Sequence, residues 1–380
     1  MNSGGLHAVV ADQVFDGVRR HEDAGVVIDG SRVSRVVPRR EIPRSMRARV
    51  LSDGVWVVPG FIDLPVNGGG DVLFNDSPTP EAISIIAAAH RKFGTTSFLP
   101  TLITDTPEKM RAAITAVQIA IRTEPTVLGL HLEGPFLSPE RAGVHDRSLF
   151  RQPSHADGEM LVAPRHGALL VTLAPEQVPA GFIARLAEAG VCVSFGHSMA
   201  TYAQTRAAIT EGLSGFTHLF NAMRPLASRE PGPIAAALET PTCSFGLIVD
   251  GIHVDPAMLR LALRGVGRPM LVTDAMPPVG GKGSTFELYG EAITVRDGRC
   301  VRPDGTLAGA YLDMASAVRN CVRLLGLPLE RALSFASSHP AHFINLGSEL
   351  GRLAPGSRAD MVALDPEKVE VLETWVAGVG

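Results

Sequence analysis

A chain of 380 residues, 45% hydrophobic and 19% charged, can bury a large core and has room for one big domain plus a smaller one. Its formal net charge of -4 and scattered arginines argue against nucleic acid or anionic membrane as a main partner, since both call for clustered basic surface. No leader-like segment opens the chain and no later run could span a bilayer, so a cytoplasmic location is expected.

Residues 6–58 carry short apolar segments at 8–10, 25–28, 33–37 and 55–58, punctuated by Gly, Asp and Arg, as in small strands joined by turns. The run 56–70 reads as a strand broken at Pro59-Gly60 that ends in a glycine-rich loop. From there the pattern alternates. Strands are expected at 96–102, 127–132, 168–173, 191–196, 215–217, 244–249 and 269–273. Helices are expected at 81–93, 106–121, 181–189, 201–211 and 255–264, with His90 packing on the first. About eight β units with helices between them predict an α/β fold, a (β/α)8 TIM-like barrel, with a doubly wound sheet as the alternative.

Beyond Pro277-Pro278, strand-like pieces at 285–288, 291–295 and 299–302 precede helices at 312–325 and 329–337, and the last segment returns to β character. The expected organisation is a small β-sandwich domain made from both chain ends, 1–57 and 346–380, around a barrel at 58–345 with a β insertion near 284–303. Cys192, Cys243, Cys300 and Cys321 sit singly in apolar runs without CxxC spacing, as buried hydrophobes in a reducing compartment.

Several barrel strands end in one polar residue: Glu133, His197, His218, Asp250 and Asp274. In a barrel these ends share one mouth, so distant residues converge there. One Glu and two His are a three-ligand set for a catalytic divalent metal that leaves a position for water. Singly, Glu133 could be a buried salt bridge and either His a structural residue. Asp274 suits a proton shuttle beside such a site, or else a group that orients a ligating His.

The ordered motifs P-G-F-I-D, L-G-L-H-L-E-G-P-F, S-F-G-H-S-M-A, T-H-L-F-N-A-M, D-G-I-H-V, L-V-T-D-A, G-T-L-A-G and P-G-S-R-A-D resemble the N-acetylglucosamine-6-phosphate deacetylase family of the amidohydrolase superfamily. The resemblance covers nearly the whole chain. It implies hydrolysis of the acetamide of a phosphorylated amino sugar, with one divalent metal per subunit on Glu133, His197 and His218. Zinc is the expected ion, and iron or cobalt would also suit the ligands. It further implies Asp274 as general base and acid, and His145 polarising the substrate carbonyl. The sugar would be held by Asn221, Ala222, Asp250, Gly251, His253, Leu307, Ala308 and Gly309, with Arg229 and His253 on the phosphate. Arg229 would reach the site of the neighbouring subunit in a homodimer. The superfamily's H-x-H is replaced by Pro65-Val66-Asn67, which implies a single metal, and Ala308 and Ala310 stand where small hydroxyl residues are expected. Two other readings remain: a deacetylase for the galactosamine epimer or another acyl amine, and a non-catalytic relative that kept the fold.

Overall fold

A computed structural model describes residues 5–380. Eight parallel strands lie side by side in chain order: β1 (Phe61–Val66), β2 (Thr95–Ile103), β3 (Gly129–Glu133), β4 (Ala168–Leu173), β5 (Cys192–Phe195), β6 (Gly215–Phe216), β7 (Ser244–Leu247) and β8 (Arg268–Leu271). Apart from Arg268, every residue in these strands is buried or nearly so, which is why they read as unbroken apolar runs rather than alternating ones.

Each strand is followed by a helix: α1 (Pro80–Arg91), α2 (Pro107–Ala120), α3 (His155–Val162), α4 (Phe182–Glu188), α5 (Tyr202–Thr210), α6 (Gly232–Glu239), α7 (Pro256–Ala262) and α8 (Met314–Leu325). Thr79-Pro80, Thr106-Pro107 and Asp255-Pro256 start three of them in the same way. The cap side chain accepts a first-turn amide, and proline follows where its missing N–H costs nothing. Helices α3 and α6 were not expected from the sequence, although α3 opens with a full capping box between Ser154 and Asp157.

The barrel closes at a seam. A parallel bridge joins Val66 to Ala275, and the Thr273 N–H and hydroxyl donate to the buried carboxyl of Asp63 on β1, at 3.1 and 2.5 Å. Burial pushes that carboxyl up to about 7 against the pull of those two donors.

A seven-stranded mixed sheet takes strands from both chain ends, including His7–Phe15, Arg20–Asp29, Trp56–Pro59, Met361–Asp365 and Glu370–Trp375. His7–Phe15 divides one edge between two parallel partners, Arg47–Val50 and Trp56–Pro59, so the sheet branches there. Val9, Val26, Val57, Met361 and Trp375 form its core.

Between β8 and α8 lies an antiparallel sheet of four strands, Thr285–Leu288, Glu291–Arg296, Arg299–Val301 and Leu307–Ala310. It runs further than the three pieces read from the sequence, because Ala310 exchanges backbone hydrogen bonds with the segment after β8. Its N–H donates to the Asp274 carbonyl at 2.9 Å, and its carbonyl accepts from Met276 at 3.1 Å. Leu73, Ile103, Met276, Leu288, Ile293 and Cys300 pack this sheet against the barrel mouth. All four cysteines are free and buried. Among the described residues no helix is long and apolar enough to cross a membrane.

Candidate active site and metal centre

The residues that close the barrel strands stand at or just past their C-terminal ends. Glu133 is the last residue of β3, while His197, His218 and Asp274 follow β5, β6 and β8 by two or three residues. At these points the backbone turns sharply. His197, His218, Ala222 and Asp274 all take left-handed φ, at 48°, 32°, 50° and 52°. Each such non-glycine residue costs on the order of 1–3 kcal/mol and persists only where its surroundings over-determine it. Their clustering around one cleft of about 260 Å³ marks a site rather than a packing accident.

At the floor of the cleft, His197 Nε2 and His218 Nε2 lie 3.1 and 2.9 Å from the same oxygen, Oε1 of Glu133. All three residues are buried, and their ligand atoms lie within 4.8 Å of one another. The second nitrogen of His197, Nδ1, lies 2.8 Å from the Arg141 carbonyl and donates to it. With its single proton on Nδ1, a ligating His197 directs the Nε2 lone pair at the Glu133 carboxylate, an arrangement that a cation between them satisfies. Electrostatics say the same. Burial would lower the His218 pKa, but Glu133 beside it pushes it up to about 9. Burial likewise opposes ionisation of Glu133, but the neighbouring His197 and His218 hold it well below the usual carboxylate range. A buried site that holds positive charge this firmly, with one oxygen and two nitrogens converging, fits a divalent metal.

Asp274 stands beside this cluster. Burial and the Glu133 charge raise its pKa, opposed by His218 and by Asn67, whose Nδ2 donates to Asp274 Oδ1 at 2.7 Å. Asn67 thus partners the Asp274 carboxyl. His145 closes the other side. The Thr104 N–H donates to its Nδ1 at 3.3 Å and the Thr104 hydroxyl sits 2.8 Å from the same atom. Burial keeps the ring neutral, its pKa well below the ordinary value, so its proton sits on Nε2.

Asn221, Ala222, His253, Leu307 and Gly309 line the same cleft, with Ile103, Val144, Ile248 and Met276 as apolar wall. Gly309 has φ +61°, and a Cβ there would come within 2.6 Å of the Met276 sulfur, so this close approach requires glycine. Asp250 does not line the cleft. It accepts from His253 Nδ1 at 2.6 Å and from the Ile252 and His253 amides, turning His253 toward the opening. Gly251 is exposed on that turn, and Ala308 is fully buried within the last strand of the four-stranded sheet. Arg229 lies exposed on the loop before α6, outside the lining of this cleft in its own chain.

Asn67, Thr104 and His131 carry more of the site than the sequence reading assigned them. For His131 a signal was available: it stands two residues before Glu133 on β3, so it points into the same barrel interior.

A model of the amidohydrolase family matches residues 56–379. The chain belongs to the amidohydrolase family. This amidohydrolase is 44% identical to N-acetylgalactosamine-6-phosphate deacetylase of Shewanella sp. (strain ANA-3), over 85% of this chain and 82% of that one. The crystal structure of N-acetylglucosamine-6-phosphate deacetylase from Pasteurella multocida superposes with a TM-score of 0.95 at 35% identity, covering 98% of both chains. A Mycobacterium smegmatis N-acetyl-D-glucosamine-6-phosphate deacetylase, as an Asp-to-Ala variant in complex with N-acetyl-D-glucosamine 6-phosphate, superposes with a TM-score of 0.89 at 36% identity over 99% of both chains. The two solved structures superpose on this amidohydrolase over nearly its whole length.

Proposed function

We propose that this amidohydrolase hydrolyses N-acetyl-D-glucosamine 6-phosphate to D-glucosamine 6-phosphate and acetate. The observation that carries the reading is the convergence of His197 and His218 on one Glu133 oxygen, with an acid and a neutral imidazole on either side of it. Glu133, His197 and His218 would hold one divalent cation per subunit. Zinc is assigned, and iron or cobalt suits the same donors. Such a cation, when bound, acidifies water and draws electron density from a carbonyl oxygen.

Asp274 takes the proton of the attacking water and later delivers it to the amine nitrogen as the C–N bond breaks, so one carboxyl serves as base and then acid. Asn67 orients it for both transfers. His145 offers a hydrogen bond from its Nε2–H to the acetamide oxygen as negative charge builds there. Asn221, Ala222 and the backbone at Leu307–Gly309 bind the sugar. His253 and Arg229 take the phosphate, Arg229 from the neighbouring subunit of a homodimer, for which its exposure beyond its own cleft leaves it free.

The galactosamine epimer is a second reading, favoured by the 44% identity to a deacetylase of that name. Initial rates of free-amine release from both 6-phosphates and from the unphosphorylated sugars, on protein of known metal content, test the proposal. Release that needs both the phosphate and about one metal per chain supports it, and the faster epimer decides between the two. No release from either phosphate by metal-loaded protein refutes both.

A further inference from the structure

His218 borders two spaces. Its Nε2 edge meets Glu133 in the cleft, and its ring also lines a small cavity deeper in the barrel, whose free volume of about 10 Å³ is at the lower bound for one water. Its other nitrogen, Nδ1, is buried and has no hydrogen-bond partner among the described residues. The same cavity is lined by three further polar side chains, His131, Ser194 and Thr217, among apolar ones such as Leu64 and Phe343.

Those polar side chains belong to a run of hydrogen bonds across five successive barrel strands. Thr101 Oγ1 meets His131 Nδ1 at 3.1 Å, and His131 Nε2 meets Thr172 Oγ1 at 2.8 Å. Thr172 Oγ1 meets Thr217 Oγ1 at 2.7 Å, and Thr217 Oγ1 meets Ser194 Oγ at 2.7 Å. The Val66 N–H donates to Thr101 Oγ1 at 2.9 Å and the Thr101 hydroxyl donates to the Leu99 carbonyl at 3.4 Å, which leaves Thr101 Oγ1 the acceptor toward His131. A neutral imidazole between two hydroxyls accepts at one nitrogen and donates at the other. The direction then propagates: His131 to Thr101, Thr172 to His131, Thr217 to Thr172, Ser194 to Thr217. Ser194 Oγ is left as the acceptor at the end of the run, beside the cavity.

We infer that a buried water donates into this ordered chain at Ser194 Oγ and accepts a hydrogen bond from the Nδ1–H of His218, and so fixes the tautomer whose Nε2 lone pair faces the metal position. His131, Thr172, Thr217 and Ser194 are then positioning residues for a ligand they never touch directly, through the outer-shell hydrogen bond that a ligating histidine requires. The inference rests on the reading of Glu133, His197 and His218 as a metal site, and goes beyond it by assigning the support of one ligand.

The test is binding of Co²⁺ alone to metal-stripped full-length chain, followed by its visible absorption, so that turnover plays no part. Thr217→Val keeps the shape and removes the hydroxyl, and Ser194→Ala removes the last link. Both should weaken Co²⁺ binding by about 10- to 100-fold. Thr217→Ser, which restores a hydroxyl but not the methyl, should recover most of the loss, an outcome that packing alone does not give. Wild-type affinity in both folded hydroxyl-less variants overturns the inference, and so does a loss in Thr217→Val that Thr217→Ser fails to recover. Failure of the wild-type chain itself to bind Co²⁺ overturns the metal reading instead, and this inference with it.

Discussion

Replacing Asn67 by alanine removes a single hydrogen bond, the 2.7 Å contact from its side-chain amide to Asp274 Oδ1. Hydrogen bonds to a charged group contribute about 1.5–3 kcal/mol, and each 1.4 kcal/mol is tenfold in rate, so kcat should fall about 10- to 100-fold. The pH profile should move too, and its direction follows from what surrounds the acid. Burial and the Glu133 charge raise the Asp274 pKa, and Asn67 is one of the groups that pull it down. Without Asn67 the pKa rises further, the base form is reached later, and the acid limb of the rate profile shifts to higher pH. The assay is kcat and kcat/KM from pH 5 to 9, with metal content measured on the same samples. Metal should be retained, since Asn67 supports the acid and is not a ligand. A superimposable profile with only KM changed would refute the argument, and loss of metal would make Asn67 a ligand instead.

Asp274→Asn should keep its metal and lose turnover by roughly 10²- to 10⁴-fold, the range of general acid–base catalysis; turnover within a few-fold of wild type removes the shuttle role. Arg229→Ala should raise KM for the phosphorylated sugar by about 10- to 100-fold and leave the plain sugar unaffected, with oligomeric state checked by sedimentation because the same change could break a subunit contact. The Asp157 carboxyl is pushed up by burial, but Arg151 and Ser154 outweigh that and hold it at about 2. Its stabilisation is therefore complete above the ordinary carboxylate pKa and disappears as pH falls through about 2. Asp157→Asn should lower the thermal midpoint at pH 7, and the gap to wild type should close in strong acid; a gap that persists at pH 2 would assign the loss to packing.

The barrel was legible because strands buried on both faces become continuous apolar runs, and because Glu133, His197, His218 and Asp274 interrupt that apolar chemistry where each run stops. The short helices α3 and α6 were not legible. Their hydrophobic content is slight or undirected, and capping signals alone did not stand out among the loops. Partnerships were hidden for a different reason. Asn67 meets Asp274 across 207 residues and Thr104 meets His145 across 41, and no local pattern encodes a contact that exists only after the barrel closes. The last strand of the four-stranded sheet, Leu307–Ala310, was not expected because its pairing with the segment after β8 is equally remote.

That closure carries a kinetic consequence. Seven of the eight junctions between neighbouring barrel strands are hydrogen-bonded ladders, whereas β1 and β8 meet through one bridge, the Asn67 and Gly68 amides on the Ala275 carbonyl and the Asp63 to Thr273 hydrogen bonds. Thr273 immediately precedes Asp274, and Val66 immediately precedes Asn67, so this one joint without a ladder and the acid pair occupy the same few residues. Local opening of low-stability units comes before global unfolding. On heating, the first event at this joint separates the proton shuttle from its partner while the remaining ladders stay intact. Activity should then be lost several degrees below the far-ultraviolet transition, with the amides of Val66 to Gly68 and Thr273 to Met276 the first in the barrel to exchange with solvent.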